Sequence, residues 1–294
     1  MPTEKTGRGV VLKHSTGCTA EVLFYGATVV SWKVSDASAE LKERLFVSSK
    51  ASLDGSKPVR GGIPVVFPCF GQPSHPDHSK LAQHGFARSQ TWNFDSVVMD
   101  NEAGVSIRLV LDPTGNEAIS AIYPKSFKLT YVVTLAAHQL STDLHVENTS
   151  PSETLEFQAL LHNYIRAPAD DVVVTPLQGL QFYDKTESTE HPRTNPKVEN
   201  RHEVDVKRYT DAVYENGPMK YRVTWPTGGV EIKARNFKDV VIWNPQEKGH
   251  MIGDMESDGW KNYICVEPGY VRGFEKLGPQ KAWIGQQVLT VIQD

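Results

Sequence analysis

The chain has 294 residues, 39% of them apolar and 22% charged, with a formal net charge of −4. That is enough apolar material for a large core and argues against disorder. No dense Lys/Arg run suggests a nucleic-acid surface, and no stretch of about 18 apolar residues suggests a membrane span.

The first residues, MPTEKTGRGV, carry no apolar leader core, so a cytoplasmic protein with no membrane partner is expected. Short β-like runs follow. In chain order they are Val10 to Lys13, Glu21 to Phe24, Thr28 to Val34 and Leu45 to Val47. Next come Trp92 to Val98, Val105 to Leu111, Lys128 to Leu135, Leu140 to Val146, Leu155 to Ile165 and Val172 to Thr175. Tyr221 to Trp225, Val230 to Ala234, Val240 to Trp243, Tyr263 to Val266 and Trp283 to Ile292 complete the set. These runs are rich in β-branched and aromatic residues, and Gly, Pro, Asn or Asp usually separates them. Pro113 to Pro124 has room for one short helical piece, and the polar stretch from Lys185 to Arg208 reads as a long surface loop. The spacing predicts an all-β sandwich. With no internal repeat and no Pro/Ser/Gly linker, residues 1–294 read as a single domain.

Several chemistries drop out. Cys18, Cys69 and Cys265 are odd in number and far apart, so they frame neither disulfides nor a zinc motif. His75, His78 and His84 fall in an irregular Pro- and Ser-bearing stretch, poor ground for a metal site. GDMESDGW starts like a calcium loop, but Cys265 stands where the closing glutamate belongs. RGGIPVVFP is no phosphate-binding P-loop, and no GxSxG elbow occurs.

Four stretches stand out. In ETLEFQALLHNYIRA, alternation puts Leu155, Phe157, Ala159 and Leu161 on one face. Glu156, Gln158, Leu160, His162 and Tyr164 fall on the other. That second face fits a strand lining a wet cleft, or a half-exposed strand with an incidental histidine. In NYICVEPGYV, Tyr263, Cys265 and Glu267 share a face, and Pro268-Gly269 is expected to end the strand just after Glu267. A carboxyl there is partly desolvated, which raises its pKa toward the range of a useful base, or it is simply a solvated strand end. Finally, Arg60 and Arg88 sit on Gly- and Pro-bearing segments, PVRGGIP and HGFAR. They are either solvated turn residues or a pair of guanidinium forks for one anion.

Taken together, DGSKPVRGGIPVVFPCFG, QHGFAR, LLHNYI and CVEPGYV, in that order, resemble the hexose-6-phosphate mutarotases of the aldose 1-epimerase superfamily. The resemblance runs from about Tyr25 to the C-terminus. It implies a galactose mutarotase-like antiparallel β-supersandwich that needs no cofactor and no metal. It implies His162 as the catalytic acid and Glu267 as the catalytic base. Arg60 and Arg88 are then associated with the sugar phosphate, with Gln83 and His84 beside them, and Asp211 with sugar hydroxyls. The expected substrate is a small molecule, a hexose 6-phosphate, and the expected protein is a monomer. Such a pair should give a bell-shaped pH profile, with Glu267 setting the acidic limb and His162 the basic limb. Two rivals remain: a non-catalytic sugar-phosphate sensor or carbohydrate-binding module on the same fold, and a glycoside hydrolase. The hydrolase normally needs two opposed carboxylates, and only one well-placed acid is visible.

Overall fold

A computed structural model describes residues 2–35, 40–187 and 195–292. The first five strands are β1 (Thr3–Lys5), β2 (Gly9–Lys13), β3 (Thr19–Leu23), β4 (Val29–Ser35) and β5 (Leu41–Glu43), paired antiparallel in that order. After them come β6 (Val65–Val66), β7 (Asn93–Asn101), β8 (Gly104–Leu111), β9 (Phe127–Leu135), β10 (Gln139–Asn148), β11 (Leu155–Leu161) and β12 (Tyr164–Arg166). Then follow β13 (Val173–Thr175), β14 (Gln181–Asp184), β15 (Lys197–Val198), β16 (Val204–Asp205), β17 (Thr210–Tyr214) and β18 (Lys220–Trp225). The last four are β19 (Gly228–Arg235), β20 (Asp239–Asn244), β21 (Tyr263–Leu277) and β22 (Ala282–Ile292). They build a nine-stranded sheet, β16-β13-β18-β19-β22-β10-β9-β8-β7, and an eight-stranded sheet on the path β15-β14-β17-β20-β21-β11-β6, where β12 also pairs with β21. The predicted helical piece is α1 (Glu117–Ile122), started by Asn116, whose side-chain oxygen accepts the Ile119 N–H.

One apolar cluster runs through all three sheets. The alternation read from the sequence explains it. Leu155, Phe157, Ala159 and Leu161 of β11, Ile264 and Val266 of β21, and Val240 and Ile242 of β20 all point into this core. Their neighbours along the same strands point to the other face of the eight-stranded sheet. There Leu160, Val213, Val241 and Val271 make a smaller cluster, and Tyr164, Tyr263 and Cys265 another. The supersandwich is therefore present, and the outer face of its eight-stranded sheet is where polar residues mix with apolar ones. No helix among the described residues is long and apolar enough to cross a membrane.

Four expectations change. Leu45 to Val47 forms isolated bridges to Ile165 and Gly61 rather than a strand. Leu155 to Ile165 is two strands, broken at His162 and Asn163. The stretch from Lys185 to Arg208 is not one continuous loop, since β15 and β16 lie within it; residues 188–194 of it lie outside the described residues. Lastly, Pro268-Gly269 does not end β21, which runs on to Leu277. Proline's fixed φ suits a strand, and only its missing N–H weakens the ladder. Side chains take over nearby. The Asp239 carboxylate accepts the Val271 and Arg272 N–H groups at 2.9 and 2.7 Å. The Gln158 amide donates to the Val271 and Gly273 carbonyls at 2.8 and 2.9 Å.

Candidate active site

A cavity of about 260 Å³ opens on the outer face of the eight-stranded sheet. Antiparallel register assembles its floor. Across β17, β20 and β21, Val213 lies opposite Val241 and Val241 opposite Glu267. One row away, Asp211 faces Trp243, Trp243 faces Cys265, and Cys265 faces Tyr164 of β12. The break after β11 brings His162 to the same floor.

That break is held from below. Asn163 is fully buried and exchanges amide hydrogen bonds with Gln287 of β22, both at 2.8 Å. It also donates to the Val266 carbonyl at 2.9 Å. A buried amide pair this complete fixes the backbone on which His162 stands. The imidazole stacks on the Tyr164 ring, centroids 4.8 Å apart and planes within 11°. Its Nδ1 lies 3.5 Å from Glu267 Oε1. His162 Nδ1 and Glu267 Oε2 are buried and make no hydrogen bond among the described residues. Burial pushes the Glu267 carboxyl well up, and the negative charge of Asp211 adds to this. Burial pushes His162 well down, with His84, Arg88 and Arg60 adding. Both shifts run the same way: burial disfavours the charged form of each group.

The wall comes from the two Gly-bearing segments. Gly62 has φ +69°, and a Cβ there would stand 2.2 Å from the Val29 carbonyl oxygen. This close packing carries Arg60 to the rim of the cavity. Its Nε donates to Asp254 at 3.0 Å and its terminal nitrogen to the Tyr164 hydroxyl at 3.2 Å. Gly85 has φ +70°, and a Cβ would meet the Phe67 carbonyl oxygen at 2.1 Å. That turn sets His84 and Arg88 on one side. The Gly71 N–H donates to His84 Nδ1 at 3.3 Å. The Gln83 amide nitrogen lies 3.3 Å from His84 Nε2. Arg88 donates to the Gln83 carbonyl at 2.9 Å.

The charges do not cancel. Arg60 is paired with Asp254, and Lys185 with Asp211 at 3.1 Å. Arg88 has no carboxylate partner among the described residues, and Arg60 repels it. A cavity arranged in this way favours an anion. His162, Cys265 and Glu267 do bring three donor atoms within 4.8 Å of one another. The positive charges of Arg60, Arg88 and Lys185 around that trio oppose a metal cation. Among the described residues, His75, His78 and His84 do not converge on one point.

A family model described as Aldose 1-epimerase matches residues 8–290. The chain belongs to the aldose 1-epimerase family. A protein of Cenchrus ciliaris named "Putative glucose-6-phosphate 1-epimerase" is 29% identical over 293 residues, covering 96% of this chain and 84% of that one. A protein of the same name from Escherichia coli K12 is 28% identical over 271 residues, covering 89% and 83%. In fold, the chain is similar to a crystal structure described as a putative mutarotase from Salmonella typhimurium, with a TM-score of 0.84 at 23% identity over 99% of this chain and 93% of that one.

The epimerase is thus an isomerase that interconverts the anomers of a sugar, and its substrate is a small molecule. All the residues expected from the sequence, Arg60, Gln83, His84, Arg88, His162, Asp211 and Glu267, line the one cavity. Sequence reasoning missed Phe70, Lys185, Tyr209, Val241 and Trp243, which line it too. Lys185 was hidden at the head of a polar run, and Tyr209 stands two residues before Asp211 in YTDAVY. Trp243 was visible as part of a strand, but nothing in the sequence says which face it takes.

Proposed function

We propose that the epimerase interconverts the α and β anomers of an aldohexose 6-phosphate, glucose 6-phosphate above all. Glu267 and His162 are its acid–base pair. The observation that carries this reading is the guanidinium of Arg88, without a carboxylate partner among the described residues, in the same cavity as the Glu267–His162 pair. The names of the similar plant and bacterial proteins support it.

Mutarotation needs one proton removed from the O1 hydroxyl while another reaches the ring oxygen O5. The C1–O5 bond then breaks, giving an open aldehyde. Rotation about C1–C2 and reversal of both transfers close the ring on the other face. Glu267 serves O1 and His162 serves O5. The pair is taken to hold one mobile proton, and burial, which disfavours charge on either group, favours its residence on Glu267. Ring opening starts after that proton crosses the 3.5 Å to His162. Glu267 then takes the O1 proton and His162 gives its own to O5, so the two groups exchange charge and no nucleophile is required. Arg60 and Arg88 hold the phosphate at the rim, Gln83 and His84 offer neutral polar groups beside them, and Asp211 accepts from sugar hydroxyls.

The test is exchange kinetics of two near-isosteric variants. Glu267→Gln and His162→Asn should each lower turnover roughly 10²- to 10⁴-fold, the scale of general acid–base catalysis. The double variant should lose little more than either single one, because the groups act as a unit. Near-native exchange by either variant would remove that residue from the mechanism.

A further inference from the structure

The inference that follows rests on the hexose 6-phosphate reading and concerns Lys185 in the same cavity. Lys185 comes directly after β14, and its N–H donates to the Asp211 carbonyl at 2.7 Å. That bond lies one step beyond the Asp184–Ala212 pair of β14 and β17. The sheet therefore fixes its backbone. Its ammonium lies 3.1 Å from Asp211 Oδ1 and 4.8 Å from the centre of the Phe70 ring. Among the described residues no other side chain pairs with the Asp211 carboxylate. The charge of Lys185 is also felt at His84 and Glu267.

This arrangement conflicts with the work given to Asp211. A carboxylate holds sugar hydroxyls by accepting from them, yet Lys185 occupies Oδ1. A lysine ammonium has three donors on a flexible four-carbon stem, so it can turn without moving its backbone. A phosphate dianion between Arg60 and Arg88 offers it more charge and more acceptors than one carboxylate oxygen does.

We propose that Lys185 is a specificity-determining residue that turns from Asp211 to the anionic group of the substrate, freeing Asp211 Oδ1 for a sugar hydroxyl. Phosphate recognition and hydroxyl recognition are thereby coupled. A neutral hexose gives the ammonium nothing to turn to, so Asp211 stays half occupied and the sugar is held poorly.

The experiment measures anomer exchange of glucose 6-phosphate and of glucose by wild type, Lys185→Met, Lys185→Arg, Asp211→Asn and Arg88→Ala. For each, the ratio of kcat/KM on the phosphorylated sugar to that on the neutral sugar is formed. Lys185→Met should lower the ratio roughly 10- to 100-fold, the scale of one charge-assisted hydrogen bond, mainly through KM. Lys185→Arg should recover most of it. Asp211→Asn should slow both sugars and move the ratio far less. If Lys185→Met slows both sugars equally, or leaves the ratio where it was, the lysine merely holds Asp211 and the proposal fails. If wild type shows no preference for the phosphate, or Arg88→Ala leaves the ratio unmoved, the hexose 6-phosphate reading fails instead. Should Lys185→Met not fold, Lys185→Gln keeps a donor for Asp211 without the charge and decides the same question.

Discussion

Removing Arg88 separates a ligand-binding arginine from one that holds the fold. In the free protein its guanidinium donates to the Gln83 carbonyl, has no carboxylate partner among the described residues, and is repelled by Arg60. Arg88→Ala loses that one hydrogen bond, worth about 1 kcal/mol, and gains relief from the repulsion. The two effects oppose each other, so stability should change by less than about 1 kcal/mol, or under roughly 2 °C in Tm for a chain of this size. Substrate binding should respond very differently. A charge-assisted bond to a phosphate is worth about 1.5–3 kcal/mol, so kcat/KM on glucose 6-phosphate should fall roughly 10- to 150-fold relative to that on glucose. Arg60→Ala is the contrast. It strips partners from Asp254 and from the buried Tyr164 hydroxyl, so it should cost both selectivity and melting temperature. Thermal melts and exchange rates on both sugars make the assay. If Arg88→Ala melts as low as Arg60→Ala and slows both sugars alike, Arg88 supports its loop and the phosphate argument is wrong.

The remaining predictions concern protons. Below the depressed His162 midpoint the Glu267–His162 pair holds two protons, and above the raised Glu267 midpoint it holds none. With the one-proton form as the working one, the rate profile should be a bell whose two limbs belong to the coupled pair, and a rate flat from about pH 5 to 9 would contradict that pair's role. In ¹⁵N NMR of the free enzyme, His162 should be neutral at pH 7 and titrate below the ordinary value of about 6.5; a charged ring at pH 7 would contradict this. His78 is fully buried, and burial, with His75 adding, pushes its pKa down to about 4. The unfolded chain takes up this proton near 6.5 and the folded chain only near 4, so its contribution is complete above about 6.5 and is lost as pH falls toward 4. The loss is roughly 3 kcal/mol at most. His78→Phe should flatten the fall in melting temperature over that window, and parallel curves for the two proteins would refute the assignment.

Much of the site was legible because its chemistry lies in short, ordered stretches. LLHNYI, VEPG, HGFAR and PVRGGIP name the residues, and period-two alternation correctly sends Leu161 to the core while His162 reaches the cleft. The alternation does not decide everything on that face, since Gln158, assigned to it, ties strands together instead. What stayed hidden depends on register. That Asp211 meets Trp243, and Val241 meets Glu267, is set by which residues of β17, β20 and β21 lie opposite one another, and local sequence does not state it. The same limit explains β21. Pro268 and Gly269 are turn residues locally, but β20 on one side and β11 on the other hold them in the sheet. The two-residue strands β6, β15 and β16 are too short for any periodicity to show.

The most direct measurement of the central claim is anomer exchange by wild-type enzyme, followed by ¹H NMR on α-glucose 6-phosphate, α-glucose and α-galactose side by side. With Arg88 lacking a carboxylate partner among the described residues and Arg60 lining the same cavity, kcat/KM for glucose 6-phosphate should exceed that for either neutral sugar by roughly two orders of magnitude, the sum of at least two charge-assisted bonds at their lower values. Equal constants on the three sugars, or a preference for galactose, would contradict the account.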